Sequence, residues 1–255
     1  MTSRSKTPPA PKSHRSQSLE CIAEFNYYKD PGDGSPPAPT YVGKPEAYER
    51  PEQTRAMAAH GIRGEEHKFC LDTTSTGASQ VFIFDHTISR PPPDQGMTDQ
   101  ANMLSGPVQR VHIDQSYKAG PERVTHHLPD DAGRLLKGRY QIINVWRPMK
   151  IICKDLLGVT DAVSVPNEDL LPVQLIYPDR VGGTFTVRPN DKHRWYYLKE
   201  QTSEKVTLLK CFDSKVDGRA RRVPHSVFVD LRTEHESPRE RIEVRSLVFH
   251  PDDTE

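Results

Sequence analysis

The sequence lacks a net charge, a cysteine motif and any long apolar run. Its 35 Lys and Arg balance its 35 Asp and Glu, so no global field favours nucleic acid or an anionic membrane surface. The 4 cysteines include no CxxC pair, which fits neither a zinc knuckle nor a disulfide framework. No stretch approaches a membrane-spanning length, and the basic N-terminus has no apolar signal core. We therefore expect a cytoplasmic protein with a small-molecule partner and no nucleic-acid or membrane partner.

The chain also lacks an internal repeat, a glycine-rich phosphate loop and a GxSxG nucleophile elbow. With 255 residues and 34% hydrophobic content, it can bury one good core, whereas two domains would each be thin. Residues 1–19 are rich in Pro, Ser and basic residues, which cannot bury enough apolar surface to offset the entropy cost of ordering. We predict a disordered tail over 1–19 and a single domain over 20–255.

Turn residues divide this domain into short segments. Residues 21–51 alternate apolar pieces with turn signals and predict extended segments that cover the core. Pro51 and Gly61 bracket a predicted helix, 80–87 is a predicted strand, and 121–137 predicts one or two short helices. The later sequence predicts strands in RYQIINVW, GTFTVR, HRWYYL, KVTLLKCF, SVFVDL and RIEVRSLVF. This order favours a mainly β fold with flanking helices, a β-sandwich or jelly roll.

One short segment carries a pattern typical of metal ligands. In VHIDQS, His112 and Asp114 are two residues apart, so on a strand both side chains project from the same face. His225 begins another predicted strand and offers a third ligand. Two imidazoles and one carboxylate leave positions free for a chelating co-acid and oxygen, which suits iron(II). On the tripeptide alone, an exposed surface pair explains His112 and Asp114 as well.

A set of arginines follows His225 in the sequence. Arg239, Arg241, Glu243 and Arg245 share strand parity and therefore one face. Arg offers a carboxylate a two-pronged donor that Lys does not, so this face can bind a dicarboxylic co-substrate. Parity alone is equally compatible with a solvated face.

Several longer motifs occur in a fixed order along the chain: VHIDQS, GRYQIINVWRP, HRWYYL, LLKCFDS, PHSVF and PRERIEVRSLVF, preceded by CIAEFNYY and DGSPPAP. In this order they resemble a fungal family that includes the gibberellin desaturase and the aspergillic-acid hydroxylase/desaturase. The resemblance covers residues from about 20 to about 250. It implies a distorted double-stranded β-helix, the cupin-type jelly roll.

The resemblance also implies an iron(II)- and 2-oxoglutarate-dependent dioxygenase of secondary metabolism that uses O2 for hydroxylation, desaturation or oxidative cyclisation. It implies metal ligands at His112, Asp114 and His225. Arg239 is its implied co-substrate residue, with Arg245 as second choice. Relatives commonly have Ser where this chain has Arg241, so Arg241 either replaces that donor or turns away.

Substrate contacts are predicted from the motif RYQIINVWRP and from HRWYYL: Asn144, Trp146, Arg147 and Tyr196. For Trp146, core packing is an equally good interpretation, because Trp is usually largely buried. Two other functions stay open, a cupin-type isomerase or lyase without oxygen chemistry and a non-catalytic binding protein on the same fold. A homodimer also stays open.

Overall fold

A computed structural model describes residues 21–42, 54–64, 77–89 and 108–254. The predicted tail over 1–19 lies outside these residues. The described strands are β1 Cys21–Tyr28, β2 Thr40–Tyr41, β3 Thr54–Gly64, β4 Gln80–Ser89, β5 His112–Ile113, β6 Arg139–Pro148, β7 Leu156–Thr160, β8 Leu170–Ile176, β9 Val181–Val187, β10 Trp195–Tyr197, β11 Thr207–Asp213, β12 His225–Phe228 and β13 Arg241–His250. The helices are α1 Ala119–His127 and α2 Ala132–Leu135. None of the described helices is long and apolar enough to cross a bilayer.

The strands form two sheets that share one core. The larger sheet has the order β1-β3-β10-β7-β12-β5-β9-β8-β2, and the smaller sheet has the order β11-β6-β13-β4. Most neighbours are antiparallel; β3 with β10 and β2 with β8 are parallel. One cluster of buried apolar side chains joins both sheets, with Phe185 and Phe228 from the larger and Ile142 and Leu247 from the smaller. The fold is a double-stranded β-helix, or jelly roll.

Most of the predicted elements are confirmed. The six strands predicted after Gly138 correspond to β6 and to β9 through β13, and the predicted strand at 80–87 lies within β4. The short helices predicted in 121–137 are α1 and α2. The strands β7 and β8 were not predicted, because their apolar segments are short and broken by turn residues.

The helix predicted between Pro51 and Gly61 is wrong, since residues 54–64 form β3. Its alanines favour a helix locally, but β3 pairs antiparallel with β1 from Tyr28↔Thr54 to Cys21↔Ile62. Backbone pairing with β1 therefore outweighs intrinsic helix propensity. The N-terminal segment is extended as predicted, and its Phe25 is fully buried and stacked on Trp195 at 3.7 Å between ring centroids. This segment is thus part of the core rather than a layer over it.

Candidate metal centre

The ladder of the larger sheet places two imidazoles side by side. His112 on β5 is the direct partner of His225 on β12, and opposite residues of an antiparallel pair project from the same face. Their ring centroids are 4.4 Å apart. Asp114 follows β5, with its Oδ1 3.4 Å from His112 Nε2. One ligand atom from each of the three lies within 4.8 Å of the others, so the predicted set comes together in a geometry able to bind a metal ion.

Backbone carbonyls fix the tautomer of both rings. His112 Nδ1 lies 2.6 Å from the carbonyl oxygen of Arg110, and His225 Nδ1 lies 3.2 Å from that of Val223. A carbonyl oxygen only accepts, so each Nδ1 carries the proton and donates it. The lone pair of each ring then resides on Nε2, the nitrogen that faces Asp114 in His112. This second hydrogen bond is typical of metal-binding histidines.

The charge states of the site also suit a cation. Burial by itself would raise the pKa of Asp114, but its contact with His112 and the positive charge of Arg245 outweigh it and hold the pKa well below its usual range. Burial lowers the pKa of His225, and the neighbouring His112 lowers it further. An ionised carboxylate beside a neutral imidazole is the protonation state that binds a divalent metal. Two nitrogens and one oxygen on one face, with positions left open, fit iron(II).

Two buried arginines lie at one end of the smaller sheet. Arg239 and Arg241 are each less than a tenth exposed, and the Nε atom of each has no hydrogen-bond partner among the described residues. Arg239 donates from Nη1 to the carbonyl of Asp155 at 2.9 Å and forms no salt bridge within the described part of the chain. Burial and the charge of Arg241 lower the pKa of Arg239 to about 9. Unpartnered buried guanidinium donors fit a carboxylate ligand such as the distal end of 2-oxoglutarate.

Arg245, the second choice for that role, has a different environment. Its Nη1 donates to Asp85 at 2.7 Å, and its Nε lies 3.9 Å from Asp114 Oδ2. Burial would lower the pKa of Arg245, but the charges of Asp114, Glu243 and Asp85 outweigh it and raise the pKa. Arg245 is therefore already paired with carboxylates of the protein, whereas Arg239 is paired with none in the part of the chain that the structure describes.

The four predicted substrate contacts divide by strand face. Asn144 and Trp146 project inward from β6, and the Asn144 amide contacts Asp114 directly. Trp146 is buried beneath Arg239, which agrees with the core-packing interpretation. Tyr196 pairs with Val159, which pairs with His225, so it shares the face of the metal ligands. Arg147 is exposed on the opposite face, where its Nε donates to the carbonyl of Ser203, because strand parity turns it away from Trp146.

Two residues near the centre were not predicted. Thr186 is the ladder partner of His112, and its Oγ1 is buried without a hydrogen-bond partner among the described residues. Cys211 is buried with its Sγ 3.9 Å from Asp114 Oδ2. Strand alternation in GTFTVR could have marked Thr186 as inward-facing. The local sequence pattern does not predict which strands pair, so it could not place Thr186 beside His112.

Comparison with known proteins points to one group. The family model described as "Oxidoreductase/YMDC permease-like domain" matches residues 73–249. Hydroxylase/desaturase efuI of Hormonema carpetanum is 38% identical over 70% of this chain and 66% of its own length. Hydroxylase/desaturase CTB9 of Cercospora beticola is 32% identical over 90% of this chain and 86% of its own length. Hydroxylase/desaturase asaB of Aspergillus flavus is 31% identical over 93% of this chain and 97% of its own length.

A solved structure agrees with the fold. A variant of the iron and alpha-ketoglutarate-dependent endoperoxidase NvfI has a TM-score of 0.75 and covers 92% of this chain and 98% of its own. Its sequence identity is 21%, so this likeness concerns the jelly roll and not the substrate.

Proposed function

This chain belongs to the family of fungal hydroxylase/desaturases and iron(II)/2-oxoglutarate-dependent dioxygenases, and we propose that His112, Asp114 and His225 hold the iron with which it oxidises a small secondary metabolite. The convergence of these three side chains carries the proposal. His112 and His225 lie on adjacent strands and Asp114 follows β5. The lowered pKa values of Asp114 and His225 favour the ionised carboxylate and the neutral imidazole that a divalent metal requires.

Each side chain of the site has its own part in this function. The two Nε2 atoms and one Asp114 oxygen would bind the iron from one face, while backbone carbonyls hold the rings in orientation. Arg239 would bind the distal carboxylate of 2-oxoglutarate, with Arg241 beside it in place of the hydroxyl of relatives. The Thr186 hydroxyl, which lies next to His112 and has no hydrogen-bond partner among the described residues, can donate to a ligand oxygen at the centre. When bound, iron(II) and 2-oxoglutarate activate O2 to attack a C–H bond, with succinate and CO2 as co-products.

The substrate would occupy the inner face of the larger sheet beside the metal ligands. Tyr196 lies in the same cross-strand row as His225, about two strand spacings away, or roughly 10 Å. The same metal ligands serve hydroxylation, desaturation and oxidative cyclisation. Which of these reactions occurs therefore depends on how the substrate is held. We further propose that the enzyme acts in the cytoplasm, since the spacing of its 4 cysteines does not fit a disulfide framework.

Anaerobic titration of the iron(II) protein with 2-oxoglutarate tests this function. A visible charge-transfer band should develop as the co-acid chelates the metal, and succinate should form when O2 and candidate metabolites are added. Turnover without O2 and without succinate would instead establish a metal-dependent isomerase or lyase. If the protein bound neither iron(II) nor 2-oxoglutarate, the result would favour a non-catalytic binding protein on the same fold.

A further inference from the structure

The Asn144 side chain lies between two carboxylates at the centre. Its Nδ2 donates to Asp114 Oδ2 and, at 2.8 Å, to Glu243 Oε1. Carboxylate oxygens only accept, so the atom between them must be the amide nitrogen and not its oxygen. Asn144 is fully buried, so its amide is shielded from bulk solvent.

This contact makes the two oxygens of Asp114 unequal. Oδ1 faces His112 Nε2 at 3.4 Å, on the side of the other ligand atoms. Oδ2 faces the Asn144 amide, with Arg245 Nε and Cys211 Sγ each 3.9 Å away. One oxygen is thus directed to the metal position and the other is held by donors of the protein.

Glu243 holds the amide from its other side. Its Oε2 accepts from Arg241 Nη1 at 2.5 Å, while its Oε1 accepts from Asn144. Glu243 and Arg241 are both buried, and a buried charge is retained only when it is paired and hydrogen-bonded. Strands β6 and β13, which carry Asn144 and Glu243, are paired from Arg241↔Pro148 to His250↔Arg139, so the spacing between the two is fixed by the ladder.

We propose that Asn144 is a positioning residue that keeps Asp114 a one-oxygen ligand, and that Glu243 and Arg241 orient its amide. A carboxylate that could rotate would bind the iron through both oxygens and occupy a position that the chelating co-acid needs. The inference rests on the proposed iron site. It gives a reason for the buried ion pair of Glu243 and Arg241, neither of which belongs to the predicted ligand set.

Cobalt(II) added to metal-free protein provides a test that is independent of turnover, because its visible absorption reports ligand number and geometry. In Asn144→Ala, cobalt(II) affinity should fall about ten- to a hundred-fold, as for other residues that orient metal ligands. The absorption spectrum should change as Asp114 becomes two-oxygen bound, and addition of 2-oxoglutarate should perturb it less than in wild type. Arg147→Ala on the same strand but the outer face should match wild type in all three measurements.

Glu243→Gln is the second variant, since it keeps the shape and an acceptor for Asn144 but loses the ion pair with Arg241. It should change the cobalt(II) spectrum in the same direction and lower affinity by a smaller factor. Its effect should largely vanish in the Asn144→Ala background, because Glu243 acts through that amide. If either variant folds and keeps the wild-type cobalt(II) spectrum and affinity, the inference is overturned, but the proposed metal site is not. A wild-type protein that binds no cobalt(II) overturns the proposed function itself.

Discussion

The guanidinium of Arg239 lies over the indole of Trp146, with its carbon 5.7 Å from the ring centroid. Both side chains are almost fully buried at the end of the smaller sheet. A cation in this position is held by the ring face and by the Asp155 carbonyl, yet it keeps its Nε unpartnered among the described residues. An anion that binds beside Arg239 therefore meets a donor that is already oriented.

Arg239→Lys should weaken 2-oxoglutarate binding about ten- to two-hundred-fold, because losing one charged hydrogen bond costs about 1.5–3 kcal/mol. Substrate affinity should change much less. Calorimetric titration of the metal-loaded protein measures the dissociation constants of 2-oxoglutarate and of the substrate. Arg147→Lys, on the outer face of β6, is the matched control and should leave them unchanged. If Arg245→Lys rather than Arg239→Lys produced the co-substrate defect, the assignment of the clamp would be wrong and the triad would still stand.

Substitution of any metal ligand by alanine should abolish binding of iron(II) while the protein stays folded. Two remaining ligands are too few to hold a labile divalent ion. Metal content after dialysis and circular dichroism measure the two properties separately. His126→Ala should bind iron like wild type, since His126 is exposed on α1 outside the ligand set. Full metal binding in a His225→Ala protein would remove that residue from the triad.

Asp213→Asn should lower the free energy of unfolding by about 1.5–3 kcal/mol, because its hydrogen bonds to charged groups are lost while Arg139 and Lys210 are only partly buried. Asp213 is fully buried and accepts from Arg139, Gln141 and Lys210, with the Arg139 Nη2 contact at 2.7 Å. Denaturant titration measures the loss. Asp131→Asn is the control, because its ion pair with Arg134 is exposed and such pairs contribute within about 1 kcal/mol. Equal losses in the two variants would contradict the buried network.

Two helical glycines should respond to alanine in opposite directions. At Gly120, an added Cβ would meet the Phe212 ring at 2.5 Å, so Gly120→Ala should destabilise the fold by about 1–3 kcal/mol. At Gly133 the same atom meets nothing within 4 Å, so Gly133→Ala should stabilise by up to about 1 kcal/mol through helix propensity. Thermal unfolding of both variants provides the comparison. A neutral Gly120→Ala would show that the ring moves aside at no cost.

Stability should decrease as the pH falls below about 6.5, partly because of His193. Burial lowers the pKa of His193 despite its contact with Asp169 at 3.0 Å, and its Nδ1 accepts from the Tyr27 hydroxyl. Because the folded pKa is depressed, the unfolded chain binds more protons in this range, and stability is lost as the pH falls. Between pH 7 and 5, the free energy of unfolding measured by denaturant titration should change less steeply with pH in His193→Gln than in wild type. The exposed His235→Gln should keep the wild-type slope.

The sequence by itself determined six of the strands after Gly138 and the position of His112 and Asp114 on one face, and it predicted His225 as the third ligand. These depend on period-two alternation, turn residues and motif order, which are local properties.

Only the tertiary structure decided which strands are neighbours, and that relation defines the centre. It made residues 54–64 a strand against β1 and brought Thr186 beside His112. It also distinguished Arg239 from Arg245, because carboxylates from β4 and from the end of β5 reach only the latter. Register between strands far apart in the chain depends on packing across the sheet, and no local pattern contains it.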